Sequence, residues 1–134
     1  MAILSKDEAQ TLLKKVLSYS TADECAVSLS GRTAGNIRYA RNSVSTAGAQ
    51  DNVSLAVESR FGKRSGVATC NEFDDATLRR CVQRAEEIAK LAPESPEYVP
   101  LLGPQTYLNP PSAASTPLTP ALRAQAAADS MTLC

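Results

Sequence analysis

The sequence predicts an α+β fold. Three observations carry that prediction: two segments with apolar residues at helical spacing, four runs between them that alternate apolar and polar residues, and a proline-rich stretch after the second helix. The expected order is helix, four-stranded antiparallel meander, helix, then a proline-rich arm and a short C-terminal helix. The expected division is residues 1–92 as the α+β domain, 93–118 as the arm or linker, and 119–134 as the start of a truncated helix.

The first helix opens on Ser5-Lys6-Asp7-Glu8, a capping box in which Ser5 and Glu8 satisfy each other's backbone donors. Ala9, Leu12, Leu13, Val16 and Leu17 then form one apolar stripe, with Lys14 and Lys15 turned away from it. The strand runs follow. Cys25, Val27 and Leu29 alternate with Ala26, Ser28 and Ser30, Ile37 and Tyr39 with Arg38 and Ala40, and Val53, Leu55 and Val57 with Ser54, Ala56 and Glu58; the fourth run covers about 65–70. Gly31 and Gly35 bracket the expected first turn. Phe61-Gly62-Lys63-Arg64 is a tight hairpin turn in which Gly62 takes φ > 0. Residues 42–52, rich in Ser, Thr and Gly, read either as a loop or as a bulged extension of the strands beside them.

The second helix is capped by Asp74 or Asp75. Its stripe is Leu78, Cys81, Val82, Ala85, Ile88, Ala89 and Ala92, and Pro93 ends it. All eight prolines lie between Pro93 and Pro120, so this stretch cannot be helix or central strand for long. Thr119-Pro120 starts a last helix, with Leu122 and Met131 as its large anchors. That helix stops at Cys134 and reads as cut off.

Several functions are excluded by composition. The chain has no histidine, so neither a Ser-His nor a Cys-His arrangement can be built. Its four cysteines form no C-x-x-C pair, which argues against a zinc site. Phosphate-binding glycine loops are absent. Cys25 and Cys81 lie on apolar stripes and read as small core residues, whereas Cys134 reads as exposed. Glu72, Asp74 and Asp75 read as a helix-capping cluster rather than a metal site. Formal net charge is zero, against a dedicated nucleic-acid binder. Within residues 32–64, however, Arg32, Arg38, Arg41, Arg60, Lys63 and Arg64 face only Asp51 and Glu58, six cations against two anions. Neither a signal peptide nor a membrane helix is indicated, and a cytoplasmic location with reduced thiols is expected.

The stretches Asn36-Ile-Arg-Tyr-Ala-Arg-Asn-Ser-Val-Ser-Thr46 and Ser54-Leu-Ala-Val-Glu-Ser-Arg-Phe-Gly-Lys-Arg-Ser-Gly-Val-Ala-Thr69 resemble the N-terminal domain of the TldD/PmbA family, also named for modulation of DNA gyrase. The second helix and Pro100-Leu-Leu-Gly-Pro-Gln-Thr-Tyr107 continue the resemblance. It implies a cytoplasmic zinc metallopeptidase assembly in which catalytic and non-catalytic chains pair around a cavity that admits unfolded peptide. The zinc motif of that family, H-E-x-x-x-H with a later cysteine, lies in its C-terminal half and has no counterpart here. The expectation is therefore a chain inactive alone, without a cofactor of its own, that meets a TldD/PmbA-type subunit or a second copy of itself. Arg38, Arg41 and Asn42 match the family's R-x-x-R-N stretch and are expected to face peptide or partner. Gly62 and Gly66 match its hairpin glycines and are expected to be structural. Two other readings remain open: a stand-alone module that captures peptide at a sheet edge, and a DNA-linked accessory.

Overall fold

The computed structural model describes residues 4–103, 105–108, 111 and 119–132. Helix α1 spans Lys6–Leu17 and begins with the expected capping box: the Glu8 N–H donates to Ser5 Oγ at 3.3 Å, and Glu8 Oε2 accepts from the Ser5 N–H at 2.8 Å. The Ser5 hydroxyl and backbone bonds together hold the Glu8 carboxyl below its ordinary pKa. Strands β1 (Glu24–Ala40), β2 (Ser43–Phe61) and β3 (Arg64–Cys70) follow, then α2 (Asp75–Leu91) and α3 (Pro120–Thr132).

The sheet has three strands in the order β1-β2-β3, not the four expected. Gly31 and Gly35 make no turn; both lie within the single 17-residue strand β1. The turn falls instead at Arg41-Asn42, both at positive φ (51° and 56°). Two central residues in the left-handed region define the type I′ turn, whose twist matches that of a hairpin. Residues 43–52 are strand rather than loop, and extend β2 to 19 residues. Val44 and Thr46 favour strand, and pairing with β1 overrides the poor β-propensity of Gly48, Asp51 and Asn52. In the second hairpin Phe61 lies opposite Arg64, Ser59 opposite Gly66 and Leu55 opposite Cys70. Gly62 takes the positive φ expected of it, 55°.

Two compact units result: Met1–Gly31 with Asn52–Gln105, and Arg32–Asp51 with Thr106–Cys134. In the first, alternate β2 residues Val53, Leu55, Val57 and Ser59 are buried. Leu55 and Val57 pack with Val16 of α1, Ala68 of β3 and Leu78, Cys81, Val82 and Ala85 of α2. This aliphatic cluster removes apolar surface from water, the main favourable contribution to folding. Ser59 is fully buried and its hydroxyl has no hydrogen-bond partner.

Helix α2 is capped by Asp74, whose Oδ1 accepts from the Thr77 N–H at 3.0 Å. Asp75 instead pairs with Lys15 of α1. Asp74 and Asp75 are thus used for capping and helix pairing. One stripe position departs from expectation: Ile88 is 40% exposed, while Glu86 is buried. Glu86 accepts from the Thr21 N–H at 2.6 Å, the Thr21 hydroxyl at 2.8 Å and the Ser20 hydroxyl at 3.1 Å. A buried carboxylate is tolerable when donors surround it.

After α2, residues 92–103 are irregular but tied to the sheet. The Ser95 N–H donates to Lys63 O at 2.9 Å, and Arg60 Nη1 donates to Val99 O at 2.9 Å. Glu24 accepts from the Tyr98 hydroxyl at 3.0 Å and the Leu101 N–H at 3.2 Å. In the second unit Thr119 caps α3 through the Leu122 N–H at 3.2 Å. Ala127, not Leu122, is the buried residue of that helix; Leu122 is 48% exposed. Cys134 lies outside the described residues. Among the described residues no helix is long and apolar enough to cross a membrane.

Candidate functional site

The basic residues singled out by the sequence divide between the two ends of β2. Arg60, at the second hairpin, binds Glu58 at 2.7 Å and approaches Glu24 at 3.8 Å. Arg64 donates to Lys90 O at 3.3 Å and lies 3.8 Å from Glu94. These cations are engaged in holding the first unit together. Gly62 and Gly66 belong to the same hairpin. The Gly62 N–H donates to Asp23 Oδ2 at 2.9 Å. Gly66 is pressed against α2, where an added Cβ would sit 2.3 Å from Ala85 O and Ala89 N.

Arg38, Arg41 and Asn42 lie together on the ribbon formed by residues 32–51. All three are exposed. Ser43 Oγ donates to Ala40 O at 3.4 Å and Ser45 Oγ to Arg38 O at 3.2 Å, which fixes the hairpin about the Arg41-Asn42 turn. A two-residue turn places Ala40 opposite Ser43 and, one step on, Tyr39 opposite Val44. Tyr39 (44% exposed) and Val44 (48% exposed) therefore form one cross-strand apolar pair open to solvent. Arginine at the first turn position is costly, because a side chain with a Cβ is strained in the left-handed region. Further along the ribbon, Arg32, Ala34, Gly35, Asn36, Gly48, Ala49 and Gln50 line a shallow cavity of about 360 Å³. The Arg123 guanidinium lies against Gly35, where a Cβ would come within 2.4 Å of it.

This ribbon offers an exposed tyrosine and arginines, residue types suited to binding another chain. Burial pushes Cys70 up to about 12, helped by its hydrogen bond with Cys81, so it stays protonated near neutrality. Among the described residues no group of three or more His, Cys, Asp or Glu side chains stands where it could hold a metal ion. With no histidine in the chain, the residues present do not fit a peptidase zinc centre.

A second cavity, of about 490 Å³, lies between β3 and α2. Its lining includes Thr69, Cys70, Arg80, Arg84 and Glu87. In the sequence Arg80 and Arg84 simply fall outside the apolar stripe of α2. Their spacing of four was the available signal, but it acquires meaning only once β3 is known to be the strand beside them.

The family model described as PmbA/TldA metallopeptidase domain 1 matches residues 25–89. Among solved structures, TldE from Thermococcus kodakarensis superposes with a TM-score of 0.75 at 18% identity, covering 93% of this chain. The chain spans 28% of that protein's chain. At that identity the likeness is one of fold. No curated protein matches the chain.

Proposed function

Because residues 25–89 are a first domain of the PmbA/TldA metallopeptidase family, we propose that the chain is a non-catalytic part of such a peptidase and uses its ribbon to pair with a partner subunit. Pairing then helps to close a cavity that receives unfolded peptide. The partner is a TldD/PmbA-type subunit or a second copy of this chain, and zinc, where the assembly holds it, is held by residues outside this chain. A cytoplasmic location goes with this reading.

The observation that carries the proposal is the exposed Tyr39–Val44 pair beside Arg38 and Arg41. Two-stranded ribbons are marginal in water by themselves. Tyrosine and arginine are the residue types that dominate binding energy when a partner buries them. A strained arginine in place of glycine at the turn fits the same role, since strain of this kind gathers at functional positions.

Sedimentation velocity of the chain, alone and mixed with a TldD-type subunit, tests this. A complex should form, and Tyr39→Ser with Arg41→Gly should weaken it at least about tenfold. Arg41→Gly should at the same time leave the fold as stable or up to about 1 kcal/mol more stable, because glycine relieves the turn. Association that is absent, or that both substitutions leave unchanged, would remove the ribbon from this role.

A further inference from the structure

We propose that the outer edge of β3, together with the α2 face beside it, binds an extended peptide as an added strand, with acidic side chains of that peptide seated on Arg80 and Arg84. The proposal stands on the first unit alone and goes beyond the pairing of subunits through the ribbon.

β3 is an edge strand, with β2 on one side only. The two-residue turn at Gly62-Lys63 makes Phe61 and Arg64 a hydrogen-bonded pair. Alternation then directs the N–H and C=O groups of Gly66, Ala68 and Cys70 toward β2, and those of Ser65, Val67 and Thr69 outward. Among the described residues no hydrogen bond uses these outward groups. Ser65, Val67 and Thr69 are exposed, Val67 by 53%. The complement of such a row is another extended backbone.

What distinguishes this edge from a bare one is the helix beside it. Gly66 meets Ala85 and Ala89, whereas Cys70 shares the 490 Å³ cavity with Thr77 and Cys81, so α2 runs antiparallel to β3. The cavity opens along Arg80, Gln83, Arg84 and Glu87. Arg80 donates to Thr77 Oγ1 at 3.1 Å, and Gln83 donates to Glu87 Oε1 at 3.0 Å. Among the described residues no hydrogen bond or ion pair engages Arg84, and neither arginine has a carboxylate partner. Four residues of helix rise about 6 Å. Two residues of strand rise about 6.6 Å. Successive same-face side chains of an added strand thus match the spacing of Arg80 and Arg84, and their charge selects carboxylates.

The test is fluorescence anisotropy on the full chain. The probes are a labelled peptide of alternating threonine and glutamate, its threonine–lysine counterpart, and a glutamate version with proline at every third position. The glutamate peptide should bind saturably, at least about tenfold tighter than the lysine peptide, a gap typical of one or two charge-assisted contacts. Proline, which cannot keep a strand ladder, should abolish binding. The exposed double variant Arg80→Glu with Arg84→Glu should reverse the preference toward lysine, with its circular dichroism spectrum unchanged. Equal binding by native chain and double variant, undiminished binding of the proline peptide, or no saturation at about 1 mM, the limit of a weak site, would each overturn the proposal. So would dimerisation of the chain through this edge, or a single-stranded oligonucleotide outcompeting the peptide. The ribbon variants should bind peptide normally and the double variant should still pair with its subunit, so the two ideas fail separately.

Discussion

Gly66→Val is expected to cost the fold about 3 kcal/mol or more, a large share of the total stability of a domain this size. The reason is the identity of the atoms in the way. A Cβ on Gly66 would meet Ala85 O and Ala89 N at 2.3 Å and Ala89 Cα at 2.9 Å. These are helix backbone atoms, which cannot rotate aside as a side chain can. Either α2 lifts from β3, opening the cluster around Leu78, Val82 and Ala85, or β3 shifts from β2. Urea titration should show a much lower midpoint for Gly66→Val and an intermediate one for Gly66→Ala. A midpoint unchanged in both would mean that α2 does not rest on β3 at this point. Gly62 makes a useful contrast, since nothing lies within 4 Å of a Cβ there and only its φ of 55° resists substitution.

The second large effect is at Glu86. Glu86→Ala should destabilise the chain by about 2 kcal/mol or more, because it strands the Thr21 N–H and two hydroxyls that converge on the carboxylate. The same site gives the fold an acid limit. Burial by itself raises the Glu86 pKa, and is the largest single influence. The Thr21 backbone and hydroxyl, the Ser20 hydroxyl and the nearby Lys90 charge outweigh it together and leave the pKa below the ordinary 4.5. With the folded value lower than the unfolded one, the unfolded chain binds the extra proton in acid. The contribution of Glu86 is therefore complete above about pH 5 and is lost as pH falls through its folded pKa. Chemical denaturation between pH 3 and 7 should show native stability falling in acid more steeply than that of Glu86→Ala. Parallel curves would show that this carboxylate is not the acid-sensitive group.

Much of the first unit was legible because its signals are local. The capping box at Ser5, the alternation Val53-Leu55-Val57 and the Gly62 turn each depend on neighbours in sequence, and each stands where expected. The ribbon was misjudged for a physical reason. Gly31 and Gly35 look like turn residues, but glycine also permits close approach, and Gly35 lies against the Arg123 side chain. The true turn carried no glycine; Arg41 occupies a position where asparagine or glycine is the usual sign. Glu86 sat one step from the apolar stripe of α2, and its burial depends on donors 65 residues earlier in the chain. Arg38, Arg41 and Asn42 could be picked out from the sequence, but their common position on one ribbon follows only from the hairpin. The β3–α2 groove was invisible for the same reason: it is made by two elements whose adjacency no local pattern announces.

Glu24 sits at the very start of β1 and receives both Tyr98 and Leu101. Fraying at the start of that strand therefore also frees Tyr98 and Leu101, while Ser95 and Val99 stay held at Lys63 and Arg60. A residue outside any regular element thus inherits the protection of the sheet, and the Leu101 amide should exchange with solvent on the timescale of strand opening rather than of a free tail.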